Sequence, residues 1–165
     1  MGAVSATVQA APLDRMARIV TASVWGLAAV LVAVGLVVLG AGSTWTGVLL
    51  LVVGVLLAVM LWSYRLREPL SYVVENRAVS IGGRSAAPRR FEGPVTRVRR
   101  GALGWRVAGD GGAYGYLGRF RAEGKTVHAF VTDRTHVVLL DVGSTGLAIS
   151  PADPDSFVAG VGNGV

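Results

Sequence analysis

Two long apolar runs occupy the first half of the chain, and neither contains a charged residue. The first is IVTASVWGLAAVLVAVGLVVL at residues 19–39, and the second is WTGVLLLVVGVLLAVMLWSY at residues 45–64. Each matches the helix of about 20 residues that crosses the apolar core of a bilayer. The segment between them, GAGST at residues 40–44, leaves room for a tight turn. The pattern predicts a transmembrane helical hairpin over residues 16–67, after an N-terminal tail of residues 1–15.

Arginines flank both ends of this hairpin. Arg15 and Arg18 precede the first run, Arg65 and Arg67 follow the second, and the connecting turn carries no charge. Because positively charged flanks stay on the cytoplasmic side of a membrane, we expect a multi-pass protein whose tail and residues 68–165 are both cytoplasmic. A cleaved signal peptide is the alternative for the first run, but its length and the second run directly after it favour the hairpin.

Small residues recur along one face of the first run and at one step of the second. They are Ala22, Gly26, Ala29 and Ala33 in the first run, and Gly54 and Ala58 in the second. Small residues let two helices approach closely. We interpret these positions as the packing seam of the hairpin itself, with contact to a second copy of the chain as the alternative. Neither run contains an acidic, basic or histidine side chain, and ion-coupled transport usually depends on one.

After Pro69, which disfavours helix at the residue before it, short apolar or alternating segments are separated by turn residues. SYVV, AVSI, PVTRVRR, RFRAEG, TVHAFVTD, HVVLLDV and GLAIS indicate about seven strands. Their mostly short connections predict an antiparallel β barrel or sandwich over residues 69–162. The sequence SPADPDSF then starts a C-terminal helix, with Ser150 as its cap, Pro151 at its first position and Asp153 near its positive end.

Strands closed by one helix are the element order of a pleckstrin-homology (PH) barrel, whereas the rival OB-type barrel lacks that helix. Two stretches, residues 99–133 and residues 147–161, also resemble the bacterial PH-like domain family that commonly follows two transmembrane helices. The matching positions are Gly112, Tyr114, Tyr116, Gly118, Phe120, Thr132, Asp133, the helix start Ser150, Pro151, Asp153 and Pro154, and Phe157. The resemblance implies a PH-like barrel anchored in a bacterial inner membrane. It implies no catalytic residue and no particular ligand.

Aromatic residues and glycines alternate in GAYGYLGRF, residues 112–120. The motif positions are Gly112, Tyr114, Gly115, Tyr116, Gly118 and Phe120. In an extended strand the three aromatic side chains share one face with Gly118, where a missing side chain leaves room for a ring or a close backbone approach. Gly115, on the other face, permits a bend or a bulge. We interpret the stretch as a folding device, with a surface for stacking a flat ligand as the alternative.

The net charge of +6 is concentrated in one segment. Between residues 84 and 106 the only acid is Glu92, and the arginines are Arg84, Arg89, Arg90, Arg97, Arg99, Arg100 and Arg106. We expect the first three in a loop, and Arg97 and Arg99 on one face of a strand. The seven form the candidate surface for an anionic lipid or a protein partner, with a simple solvated face as the alternative. Nucleic acid is not favoured, because a basic stripe beside membrane helices more often faces lipid headgroups or the cytoplasm.

Recognisable reaction chemistry is missing from the sequence. The chain has no cysteine, and His128 and His136 lack the converging acids of a zinc site. It contains no GxSxG, Walker-loop or HExxH motif. We therefore expect no catalytic residue, no metal and no cofactor. The sequence favours a membrane-anchored PH-like interaction module that binds a protein partner or an anionic lipid surface, with a small oligomeric transport or channel-like component as the alternative.

Overall fold

The structure of the protein is a computed structural model that describes residues 6–75, 78–84 and 87–162. Within these ranges the chain forms three helices and ten strands. The helices are α1 (Arg15–Gly40), α2 (Thr44–Arg67) and α3 (Pro154–Gly162). The strands are β1 (Ala6–Gln9), β2 (Pro69–Glu75), β3 (Ala78–Gly83), β4 (Arg89–Glu92), β5 (Val95–Arg100), β6 (Arg106–Gly112), β7 (Gly115–Ala122), β8 (Lys125–Val131), β9 (Val138–Val142) and β10 (Thr145–Ile149). One sheet has the order β1-β2-β3-β4, and the second has the order β5-β9-β10-β8-β7-β6.

Helices α1 and α2 contain the two apolar runs. Both are long and apolar enough to cross a membrane, each with a mean hydropathy of 2.5. Their glycines let the two backbones approach closely. A Cβ atom on Gly35 would lie 2.9 Å from the Leu51 side chain, and one on Gly54 would lie 2.8 Å from the Val32 side chain. The helices therefore pack tightly against each other at these positions.

The predicted packing seam on α1 is wrong. Its four positions, Ala22, Gly26, Ala29 and Ala33, are all exposed. The buried small residues of α1 are instead Ala17, Ala28 and Gly35. Two faces of α1 carry small residues at helical spacing, and only the placement of α2 decides which face is covered. Gly54 does lie in the seam, as expected. Contact between the outward face and a second copy stays a prediction.

The N-terminal segment is not a free tail, which corrects the prediction for residues 1–15. Residues 6–9 form β1, which pairs antiparallel with β2 along its whole length, while residues 1–5 lie outside the described ranges. Just after β1, the Ala11 N–H donates to the Ser150 carbonyl oxygen at 2.7 Å. The two long helices are therefore inserted between neighbouring strands of one sheet.

Nine strands follow α2 in the described residues, where the sequence indicated about seven. The additional ones are β4, which carries Arg89 and Arg90, and the glycine-rich β6. The loop predicted for these two arginines is wrong, because pairing with β3 holds them in a strand despite a weak local pattern. β8 and β10 pair in parallel, not antiparallel. The predicted class is confirmed: two apolar helices, then a mainly-β domain with two sheets and a C-terminal helix, consistent with a PH-like fold.

The two sheets and α3 share one apolar core. Its buried residues come from both sheets and from the helix, and they include Tyr72, Val79, Leu140, Leu147, Ile149 and Phe157. Such side chains contribute roughly 1.5–3 kcal/mol each when fully buried. The core therefore joins the strands before and after the basic segment into one domain.

The start of α3 differs from the prediction. Asp153, not Ser150, caps the helix, and its carboxylate accepts the Ser156 N–H at 3.1 Å. Pro154, not Pro151, is the first helical residue. Both arrangements satisfy the sequence rule of a capping residue followed by proline. The buried position of Ser150 at the end of β10 decides between them.

Candidate functional site

The motif stretch forms the tip of the β6–β7 hairpin, residues 112–115, and most of β7. Tyr114 lies in this turn with a φ of 56°, so the prediction that it shares a strand face with Tyr116 and Phe120 is wrong. Tyr116 and Phe120 do pack edge to face, with ring centroids 6.4 Å apart. Gly115 also has a positive φ, 115°, and the two residues together turn the chain sharply.

The tip of this hairpin binds the two long helices. The Trp25 indole N–H donates to the Tyr114 hydroxyl at 2.8 Å, and the Tyr114 backbone N–H donates to the Thr21 hydroxyl at 3.1 Å. Leu61 and Tyr64 of α2 pack around the same turn. Thr21 and Trp25 both belong to the first apolar run. The β domain therefore contacts the helices inside their apolar segments, as well as at the chain connections.

Asp14 fixes the start of α1 to the β domain. Its carboxylate accepts the Ala17 N–H at 2.7 Å, which caps the helix, and it accepts the Tyr116 hydroxyl at 3.1 Å. The Arg134 guanidinium lies over the Tyr116 ring, 5.1 Å from its centroid. Burial raises the pKa of Tyr116, and the Asp14 carboxylate raises it further. The phenol therefore stays protonated and keeps donating to Asp14.

A buried hydroxyl cluster holds the segment between β1 and α1. The Thr132 hydroxyl donates to the Ala11 carbonyl oxygen at 2.6 Å, and the Thr132 N–H donates to the Ser150 hydroxyl at 2.8 Å. The Tyr72 hydroxyl, also fully buried, donates to the Phe130 carbonyl oxygen at 2.7 Å. Buried polar groups need such partners to remain in a core. The cluster is thus a structural junction between the N-terminal segment and both sheets.

Tertiary contacts pair four of the seven candidate arginines with carboxylates. The pairs are Arg84–Glu68 at 3.2 Å, Arg90–Glu75 at 3.3 Å, Arg99–Glu123 at 2.7 Å and Arg100–Asp155 at 2.9 Å. None of these acids lies between residues 84 and 106, the range that the sequence suggested was almost free of acids. Apart from Glu68, whose side chain is 13% exposed, the paired side chains are 26–77% exposed, and exposed pairs contribute little stability. They do make the surface less basic than the sequence indicated.

The seven arginines belong to two different sheets and not to one stripe. Arg84 directly follows β3, and Arg89 and Arg90 lie on β4 of the four-stranded sheet. The other four lie on β5 and β6 of the six-stranded sheet. On β5, Arg97 and Arg99 are two residues apart and lie on the same face of the strand, as expected. The hydrogen bond from Arg99 holds the pKa of the Glu123 carboxyl below its usual value.

A cavity of about 220 Å³, here called the junction cavity, lies where α2 meets the four-stranded sheet. Its lining residues are Leu66, Arg67, Pro69, Ile81, Gly83, Ala87, Arg89 and Phe130. Arg89 lies over the Phe130 ring, with the guanidinium carbon 5.4 Å from the ring centroid. Sequence reasoning named Arg89 as a candidate but used Arg67 only to orient the hairpin. The missed signal was the position of Arg67, directly after an apolar run and directly before the domain.

The two histidines lie in different settings. The His136 Nδ1 atom is 2.9 Å from the Asp133 carboxylate, in the turn after β8. His128 is exposed on β8, with its ring centroid 6.0 Å from that of Phe91. Across residues 6–75, 78–84 and 87–162, no three histidine or acidic side chains form a group that would hold a metal ion. The His136–Asp133 contact closes a turn.

The family model described as Bacterial PH domain matches residues 94–162. This segment begins just before β5, contains the whole six-stranded sheet and ends with α3. It includes the motif of residues 112–120, so the resemblance inferred from that motif is confirmed. No curated protein and no solved structure matches the chain. The two apolar helices and the four-stranded sheet precede the matched segment.

Proposed function

We propose, from the match of residues 94–162 to the family model described as Bacterial PH domain, that the protein is a membrane-anchored, non-catalytic interaction module. Helices α1 and α2 hold the β domain at the cytoplasmic face of a bacterial inner membrane. The domain binds the anionic lipid surface beside it. A protein partner is the other ligand class, and the experiment below separates the two.

One observation carries this proposal: the β domain is attached to the helices at two separate places. β1, before α1, pairs with β2, after α2, and the tip of the β6–β7 hairpin bonds to Thr21 and Trp25. A domain attached in this way does not swing on a flexible linker, so its arginines stay close to the bilayer. An arginine near an anionic leaflet gains about 1 kcal/mol.

The orientation is supported by charge and by sheet topology. Arg15, Arg18, Arg65 and Arg67 flank the helices on the side of the β domain, and the turn between the helices carries no charge. β1 and β2 are neighbours in one sheet. Helix α1 therefore leaves the domain, and α2 returns to it, on the same side of the membrane.

Cysteines placed on the two sides of the membrane are expected to label oppositely. The chain has no native cysteine, so Ser43→Cys, just before α2, and Ser144→Cys, in the exposed β9–β10 turn, each provide one thiol. A membrane-impermeant maleimide should modify the Ser43→Cys protein in intact cells, and the Ser144→Cys protein only after lysis. Modification of the Ser144→Cys protein in intact cells would reverse the proposed orientation.

Anionic lipid is expected to slow amide hydrogen exchange in β4, the strand that carries Arg89 and Arg90. The measurement compares the full-length protein in nanodiscs of phosphatidylglycerol and of phosphatidylcholine, by mass spectrometry. Exchange should be slower in the anionic discs, because the arginines are drawn to the negative surface. At about 1 M salt, where charges are screened over about 3 Å, the difference should disappear.

The β9–β10 turn is the internal control for this comparison, since Gly143 and Ser144 are exposed and carry no charge. Its exchange should be the same in both kinds of disc. Equal exchange of β4 in the two discs, at low salt, would contradict lipid binding and leave a protein partner as the better ligand class.

A further inference from the structure

The junction cavity combines basic and apolar side chains at the point where α2 enters the β domain. We propose that it binds the phosphate headgroup of one anionic phospholipid from the cytoplasmic leaflet. This proposal rests on the proposed function, because it requires the β domain to lie at the membrane surface. It goes beyond that function by assigning one lipid to one defined pocket, in place of diffuse attraction to a basic surface.

The height of the cavity along α2 matches the headgroup layer of a bilayer. The second apolar run ends at residue 64, and Leu66 and Arg67 line the cavity. At about 1.5 Å per residue, these two positions lie roughly 3–5 Å beyond the apolar core. The headgroup layer is roughly 5–7 Å thick on each side of that core. A phosphate of the adjacent leaflet therefore reaches the cavity without leaving its own layer.

Two arginines that line the cavity, Arg67 and Arg89, are available to bind an anion. Glu68 is the acid next to the cavity, and Arg84 holds its carboxylate at 3.2 Å. The Glu68 side chain is only 13% exposed, and neither member of this pair lines the cavity. Arg67 and Arg89 form no ion pair with any of the described residues. Two guanidinium groups at one opening match the geometry of a phosphate, which accepts several N–H groups at once.

The rest of the lining suits a lipid better than a free anion. Ile81 and Phe130 are each 4% exposed and give the cavity an apolar floor. Leu66 lines the membrane side, and it and nearby Leu70 are 38% and 41% exposed. Apolar side chains beside a basic rim accommodate the glycerol and first acyl carbons of a lipid whose phosphate meets the arginines. Inorganic phosphate would leave this apolar surface uncovered.

The close approach of β3 to the end of α2 gives the cavity a firm wall. A Cβ atom on Gly83 would lie 3.1 Å from the Glu68 carbonyl oxygen, so the two backbones nearly touch. Pro69, at the start of β2, is fully buried beside this contact. The pocket is thus formed by backbone elements that are already in place before a lipid binds.

Native mass spectrometry of the full-length protein in a non-ionic detergent tests the proposal. The protein is titrated with phosphatidylglycerol, and the occupancy of the first bound lipid is measured. Removing both cations in the double variant Arg67→Gln/Arg89→Gln should weaken this first binding about 30-fold. Ala87→Trp keeps both arginines but fills the cavity, and it should also abolish the first site. The matched control, Arg119→Gln/Lys125→Gln, removes two exposed charges from the six-stranded sheet, outside the seven candidate arginines, and should bind like the parent.

Competition with other lipids and with inorganic phosphate tests which ligand the cavity binds. Phosphatidylcholine and inorganic phosphate should not displace the bound phosphatidylglycerol. The proposal is overturned if the Ala87→Trp protein keeps a parental first site, or if the control pair loses as much affinity as the cavity pair. In both cases slower exchange of β4 in anionic discs still supports the proposed function, so the two failures are distinguishable. Displacement by inorganic phosphate alone would also overturn the assignment of a lipid.

Discussion

Valine in place of Gly118 is expected to destabilise the β domain by roughly 2–6 kcal/mol. Gly118 pairs with Gly109 across β7 and β6, and their φ angles are 133° and 113°. A Cβ atom on Gly118 would overlap the Ala108 carbonyl oxygen and lie 2.7 Å from the Gly109 Cα atom. Both contacts are with backbone, so no side-chain rotation relieves them. Overpacking costs about 1–3 kcal/mol, and a strained backbone at positive φ about as much again.

Gly160→Val is the matched control for this substitution. Gly160 lies on the exposed side of α3, and a Cβ atom there would meet nothing within 4 Å, so its stability should change by no more than about 0.5 kcal/mol. Urea unfolding of the full-length protein in micelles, followed by circular dichroism, measures both variants. The full chain is needed because β1 precedes the helices. If the Gly118→Val protein unfolds at the parental urea concentration, the motif is not a folding device, and ligand stacking becomes the better interpretation.

Alkaline pH is expected to remove about 3 kcal/mol of folding stability through Tyr72. Burial raises the pKa of this phenol from 10.0 to about 12, because a core solvates the phenolate poorly. Two pKa units correspond to about 3 kcal/mol. The folded state binds this proton more tightly than the unfolded state does. The contribution is therefore complete below pH 10 and is lost as the pH rises from 10 to about 12.

The variant Tyr72→Phe isolates this effect. At pH 8 it should be less stable than the parent by about 1–3 kcal/mol, because the Phe130 carbonyl and the Ser150 N–H lose the hydroxyl as a partner. Phenylalanine does not ionise, so the stability gap should shrink as the pH rises above 10. Tyr116, whose pKa is also raised, is present in both proteins and cancels from the difference. A gap that stays constant from pH 8 to about 12 would contradict the raised pKa of Tyr72.

For the GAYGYLGRF motif, the sequence correctly predicted the backbone features but not the position of Tyr114. Its glycines indicated a bend and a close backbone approach, and the structure has both, a turn at residues 112–115 and the contact between Gly118 and Gly109. The rule of alternation placed Tyr114 on the strand face, because it assumes a regular strand. A turn interrupts the alternation, and Tyr114 instead reaches Trp25, 89 residues away in the sequence.

The ion pairs of the basic segment also could not be predicted from the local sequence. Counting residues between positions 84 and 106 found one acid among seven arginines. Folding brings Glu68, Glu75, Glu123 and Asp155 to four of them. The energy between two charges depends on their distance in space. Separation along the sequence predicts that distance only within one helix or strand. The junction cavity was missed for this reason, since its lining comes from α2, β2, β3, β4 and β8 and from Ala87 just before β4.

The sequence by itself determined the two long helices, most strands after Pro69, the C-terminal helix and the resemblance to bacterial PH domains, whose family model matches residues 94–162. Each of these follows from a local property: a run of apolar residues, an alternation, a turn or a motif. Only the tertiary structure decided that β1 belongs to the first sheet, which face of α1 meets α2, and which of the described arginines have a carboxylate partner. These outcomes depend on contacts between segments far apart in the chain. The helical or strand repeat of apolar residues cannot predict such contacts, because the contacts form only when the whole domain packs.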